Sequence, residues 1–174
     1  MAAGIVTINT DASFSFSHNK ASYAFWIVSD YGKLCRHGAL KGNTKTSTHG
    51  EFKCIVNALH CLFVYLKWPI TKIIVNTDSM NSIHLLNNDK VSLKRYRIDK
   101  SQYKEELSAW HSINGRYISK KVSIEFRHVR AHTNKDDARS WVNQWCDNKA
   151  KESLSKELLR LNLTKPYTDN GIFR

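Results

Sequence analysis

The chain has 174 residues, 41% of them hydrophobic and 24% charged, a balance that fits one globular domain and excludes a disordered polypeptide. Its net charge of +12 and pI near 9.6 point to a polyanionic partner. No stretch approaches the ~18 apolar residues of a membrane span, and MAAGIVTINT lacks the basic and apolar segments of a signal peptide, so the expectation is an intracellular, cytoplasmic protein with no membrane contact.

In chain order, Ile5 to Thr10 (IVTINT) is β-branched and continuous, as a strand covered on both faces would be. Asp11 follows it, and Ser-rich turn chemistry runs up to Asn19. Tyr23 to Val28 reads as a second strand, and Asp30-Tyr31-Gly32 turns into a third near Leu34 to Leu40. After a polar loop, Thr48 opens a helix in which Phe52, Ile55, Val56, Leu59 and Phe63 recur on one face, with Pro69 marking its end. Ile73 to Thr77 (IIVNT) is a fourth strand, again followed by an acid, Asp78. A short helix through Ile83, Leu85 and Leu86 stops near Asn87-Asn88. A basic connection precedes a helix from about Ser101 to Ser119. Val122 to Val129 alternates like a half-buried fifth strand. The polar loop Ala131 to Ala138 leads into a last helix from about Arg139 to Leu161. Three antiparallel strands followed by α, β, α, β, α predict an α/β domain with a mixed five-stranded sheet. The expected division is a catalytic domain over residues 1–162 and a tail over 163–174.

Charge is concentrated in one quarter of the chain. Residues 90–130 hold eleven Lys or Arg against four acids, a net of +7, with Tyr96, Tyr103, Trp110 and Tyr117 interleaved. A basic surface of that density suits nucleic acid, while the plainer reading is a solvated, lysine-rich helix face. The four cysteines have no CxxC or comparable zinc spacing, so they read as reduced thiols, with Cys54 and Cys61 facing the core. His49, Cys54, His60 and Cys61 lie along one helix and do not converge as metal ligands.

Four acids carry the chemical question. If the first and fourth strands are adjacent and parallel, Asp11 and Asp78 stand side by side at one sheet edge, where open α/β sheets place their sites. Glu51 falls in the first turn of the first helix. There Thr48-His49-Gly50-Glu51 also fits a capping box, in which Glu reaches back to the Thr amide. Asp147 lies between Trp145, Cys146 and Ala150 on a helix side that looks built for packing. It also stands four residues before Lys151, a plain helical ion pair. Acids gathered without cations repel, and a divalent metal resolves this: carboxylates and water suit Mg²⁺ or Mn²⁺, and a pair of such ions can clamp a phosphodiester.

The stretches TDAS at Asp11, STHGEFKCIVNAL at Glu51, NTDS at Asp78, VRAHT at His132 and NQWCDNKA at Asp147 together resemble type 1 ribonuclease H, over residues 5 to about 155. The resemblance implies a ribonuclease H-like fold with helices on both sheet faces and hydrolysis of the RNA strand of an RNA–DNA hybrid. It further implies a monomer and two Mg²⁺ or Mn²⁺ ions held by Asp11, Glu51, Asp78 and Asp147. His132 matches the family's mobile-loop histidine, which assists proton transfer or product departure. Ser13, Thr46, Thr48 and Ser79 beside the acids, and Lys94, Arg95, Arg97, Lys100 and Lys104 in the basic segment, become the expected nucleic-acid contacts. Water attack in line at phosphorus would leave a 5′ phosphate and a 3′ hydroxyl. The chain departs from the common pattern at Ala12, where Gly is usual, at Ser47 to His49, where Asn often stands, and at Met80, where Gln is common. The alternatives are a nuclease of this fold acting on duplex RNA or a junction, and a non-catalytic nucleic-acid-binding domain.

Overall fold

A computed structural model of the chain describes residues 4–129 and 138–163. The predicted loop Ala131 to Ala138 and the tail from Thr164 onward lie almost wholly outside those residues. Five strands form one mixed sheet: β1 (Ile5–Ser15), β2 (Lys20–Ser29), β3 (Gly32–Ala39), β4 (Lys72–Thr77) and β5 (Ser123–His128), in the order β3-β2-β1-β4-β5. The β1–β2 and β2–β3 pairs are antiparallel, and β1–β4 and β4–β5 are parallel, as the strand pattern requires.

Alternation along the strands divides the core. Val6, Ile8, Phe25, Ile27, Ile73 and Val75 pack against α1 (Ser47–Tyr65), whose Phe52, Ile55, Leu59 and Leu62 are fully buried. Ala24, next to Phe25, points the other way and meets Cys146 and Ala150 of α5 (Ala138–Arg160) in a smaller cluster with Trp26, Val142 and Trp145. Helices therefore cover both faces. Beyond β4 come α2 (Met80–Leu86), α3 (Lys90–Arg95) and α4 (Lys104–Ser119). The last docks on α1 and α2 through aromatic residues whose polar atoms are satisfied. Tyr117 donates its hydroxyl to the Leu59 carbonyl at 2.7 Å, and Trp110 donates its indole N–H to the Leu86 carbonyl at 3.2 Å.

Three sequence expectations shift. First, β1 does not stop at Thr10. It stays paired with β2 out to Ser15↔Lys20, so Asp11 lies inside the strand rather than past its end. Second, the basic connection contains α3, which forms because Asp89 caps Ser92 N–H and Leu93 is buried. Third, the helix placed from Ser101 starts as a 3-10 turn over Lys100–Tyr103 and becomes α-helical at Lys104. Cys54, Cys61 and Cys146 are buried free thiols. Among the described residues no helix is long and apolar enough to cross a membrane.

Candidate active site

The β1–β4 register brings two acids level. The parallel pairs run from Ile5↔Lys72 to Asn9↔Asn76; two residues further along each chain stand Asp11, inside β1, and Asp78, just past the end of β4. Where β4 ends, the chain turns into α2. Ser79 caps that helix by accepting from Ser82 N–H, so the backbone leaves the sheet directly after Asp78. Glu51 arrives from α1. Gly50 beside it lies against the sheet: a Cβ there would stand 3.5 Å from the Cβ atoms of Ala12 and Ala21, so the helix start sits close to β1 and β2.

The capping box that the sequence also allowed for Glu51 does not form. The N-cap of α1 is Thr46, whose hydroxyl oxygen accepts from His49 N–H at 3.2 Å. Helix α1 thus starts a residue before Thr48, and Glu51 is free of the cap. Its Oε1 instead accepts from the Ala12 N–H on β1 at 3.0 Å, while Oε2 is buried and has no hydrogen-bond partner among the described residues. One carboxylate oxygen from each of Asp11, Glu51 and Asp78 lies within 4.8 Å of the others, the only such group of potential metal ligands among the described residues. The cluster of His49, Cys54, His60 and Cys61 does not form.

Electrostatics follow from this crowding. Burial, then the charges of Asp78 and Asp147, push Asp11 up to about 7. Burial, then Asp11 and Asp78, hold Glu51 well above the ordinary carboxylate range. A divalent cation relieves both effects, and a buried carboxylate oxygen lacking any donor is what such an ion would coordinate. The donor set fits Mg²⁺ or Mn²⁺: three carboxylates and no sulfur or imidazole.

Asp147 is brought near without joining the cluster. Its charge acts on Asp11, but its side chain, 17% exposed, is paired with Lys151 at 2.8 Å, the i,i+4 bridge that the sequence allows. The expected inward-facing carboxylate is therefore half-buried and turned along its own helix. Lys151 also acts on Asp11, lowering its pKa, so this ammonium borders the acidic site. His132 lies outside the described residues.

Among the expected substrate contacts, Thr46 and Ser79 spend their hydroxyls as helix caps, while Ser13 and Thr48 are half-buried beside the acids. Lys94, Arg95, Arg97, Lys100 and Lys104 are all exposed. Arg97 adopts a left-handed φ of 54°, and Lys100 Nζ donates to Asn88 Oδ1 at 2.7 Å.

A residue the motif reading passed over anchors this basic segment. His49 is buried and stacks on Tyr103 with ring centroids 4.3 Å apart. Its Nε2 donates to the Gln102 carbonyl at 2.8 Å, which leaves Nδ1 to accept from the Thr46 hydroxyl at 2.9 Å. The 3-10 turn is thus fastened two residues before Glu51, and the Lys53–Glu106 pair at 3.8 Å adds a second tie. Local pattern gave no signal for this, because Gln102 and Tyr103, the partners that tie His49 to the turn, are more than fifty residues away.

Comparison with known proteins agrees with this architecture. Solved structures of similar fold include the N-terminal RNase H domain of rv2228c from Mycobacterium tuberculosis, with TM-score 0.65 and 14% identity, covering 91% of this chain and 99% of that one. RNase H1 from Halobacterium salinarum gives TM-score 0.61 at 15% identity, with 88% and 99% covered. LC11-RNase H1, isolated from compost by a metagenomic approach, was solved in complex with an RNA/DNA hybrid and gives TM-score 0.61 at 18% identity, with 88% and 99% covered. No curated protein sequence matches the chain. A family model described as RNase H matches residues 3–155. That match spans most of the sequence and takes in all four acids of the motif reading, so the chain belongs to the RNase H family and is a ribonuclease H.

Proposed function

We propose that the protein hydrolyses the RNA strand of RNA–DNA hybrids at the Asp11, Glu51 and Asp78 cluster, with Asp147 at its border. The observation that carries this reading is the buried Glu51 Oε2, which has no donor and sits within a cluster of carboxylates in an RNase H family chain. Two Mg²⁺ or Mn²⁺ ions bound there would supply an activated water and charge stabilisation on the departing 3′ oxygen, leaving a 5′ phosphate and a 3′ hydroxyl. Asp11 presents its oxygen from β1 and Asp78 from just past the end of the neighbouring β4, and the Ala12 N–H fixes the orientation of Glu51. Lys151 can draw Asp147 away from the cluster or release it. His132 is proposed to move a proton at the departing group. Ser13 and Thr48 are proposed to contact the hybrid, with Thr46 and Ser79 meeting it through backbone they have already shaped. The catalytic unit is proposed to be residues 1–162, acting as a monomer, with 163–174 as an appendage.

The test is a substrate panel of labelled RNA–DNA hybrid, duplex RNA, duplex DNA and single strands, each with Mg²⁺, Mn²⁺ or EDTA. Metal-dependent cutting of the hybrid's RNA strand is expected. Cutting of duplex RNA with the hybrid spared would move the substrate to another duplex, and binding without cutting would make the chain a binding domain.

The exposed cations Lys94, Arg95 and Lys100 are proposed to hold backbone phosphates. Replacing all three with Ala should weaken hybrid binding and flatten the dependence of log K on log salt by about 0.7–0.9 for each phosphate no longer neutralised. An unchanged salt slope in anisotropy titrations would remove these residues from the interface.

A further inference from the structure

The β1–β2 hairpin reaches well past the acids. Strand β1 continues four residues beyond Asp11 to Ser15, residues 16–19 form the turn, and Lys20 opens the return strand. At the turn stands Phe16, 82% exposed, the most exposed large apolar side chain among the described residues. Phe14 meets it edge-on, with ring centroids 6.5 Å apart and an interplanar angle of 80°, so the pair forms an aromatic ledge rather than a buried contact.

The ledge is held in place. His18 Nδ1 bonds the hydroxyls of Ser15 at 2.8 Å and Ser17 at 3.0 Å. Asn19 takes a left-handed φ of 50°, and its carbonyl accepts from Thr44 N–H at 2.8 Å, tying the tip to the loop before α1. Cations surround that junction. Lys20 donates to Asn43 Oδ1 at 3.1 Å and Lys53 to the Asn43 carbonyl at 3.4 Å, with exposed Lys41 and Lys45 on either side in sequence. Glu157, the acid acting on Lys20, is itself paired with Arg160 at 2.7 Å.

An exposed ring on a hydrogen-bonded tip with lysines at its base, at the end of the strand that carries Asp11, suits a base more than a protein surface. Bases inside a duplex already have both faces stacked, so the one this ring can take is unpaired. We infer that Phe16, backed by Phe14, is a stacking platform for an unpaired nucleotide of the strand engaged at the acids. Phe16 stands one residue past the end of β1, and at about 3.3 Å per residue that end lies roughly 13 Å beyond Asp11. The preferred substrate is then a hybrid whose pairing ends near the tip, outside the stretch seated on the acids, not one paired throughout. This inference rests on the hybrid-cleavage reading.

Two hybrids of one sequence test it, one fully paired and one with unpaired nucleotides beginning outside the stretch that covers the acids. KM is measured for the parent, Phe16→Ala and Phe16→Trp. The parent should prefer the frayed hybrid, Phe16→Ala should raise KM on it by about five-fold or more while leaving the paired hybrid unchanged, and Phe16→Trp should keep the preference. Equal losses on both substrates, or none on either, would overturn the platform. If the parent cuts neither hybrid, the function reading fails separately. Anisotropy of the same labelled duplexes in EDTA then decides the platform, by the ratio of parent to Phe16→Ala affinity on the frayed one.

Discussion

Glu51→Gln is expected to fold like the parent and to lose hybrid cleavage by roughly a thousand-fold or more, about 4 kcal/mol of transition-state stabilisation. Gln keeps the shape of Glu and an oxygen for the Ala12 N–H, so the 3.0 Å bond that seats the side chain survives. What disappears is the negative charge on the oxygen that lacks a donor. Because burial and the charges of Asp11 and Asp78 already disfavour ionised Glu51, neutralising it removes repulsion, and the variant should be at least as stable as the parent in EDTA. Single-turnover cleavage and thermal melting, run side by side, check both halves. Full activity in a stable Glu51→Gln protein would show that the carboxylate has no part in the chemistry.

The second large effect is on stability against pH. Asp11 titrates at about 7 in the folded protein, against an ordinary value of 3.8. Between these values the folded chain binds a proton that the unfolded chain has released. Stability contributed by this group is therefore present below pH 4 and lost as pH rises through 7, by on the order of 4 kcal/mol at most. Asp11→Asn abolishes that loss. In EDTA at pH 8 the variant should melt about 5–10 °C above the parent, and at pH 4 the two should nearly coincide. Mg²⁺ should raise the parent's melting temperature at pH 8 and leave Asp11→Asn little changed, since the same oxygens are needed to bind the ion. A parent that gains nothing from either change would mean that Asp11 is not held in an acidic crowd.

What the sequence disclosed, and what it hid, divides along the range of the interactions. Strand periodicity disclosed the sheet because Val6 and Ile8, or Ile73 and Val75, must alternate to reach one core. The meeting of Asp11 and Asp78 was legible only on the condition that β1 and β4 are adjacent and parallel, and the structure pairs them so. The length of β1 was legible but outweighed: Ala12, Phe14 and Phe16 alternate with Ser13, Ser15 and Ser17 as a strand does, yet the serines suit a turn equally well, and pairing with β2 decides for the strand. The start of α1 was misplaced because Thr46 and Thr48 are equally good caps by composition, and only the His49 N–H contact selects Thr46. Asp147 marks the same boundary. Its motif position is correct, but the preference of its carboxylate for Lys151 over the cluster is a matter of rotamers that spacing leaves open.

Growing crystals in the presence of Mn²⁺ and collecting anomalous diffraction tests the central claim most directly. The expected result is anomalous density coordinated by oxygens of Asp11, Glu51 and Asp78. Protein that cuts hybrids in Mn²⁺, yet whose crystals show these three side chains ordered with no such density between them, would contradict it.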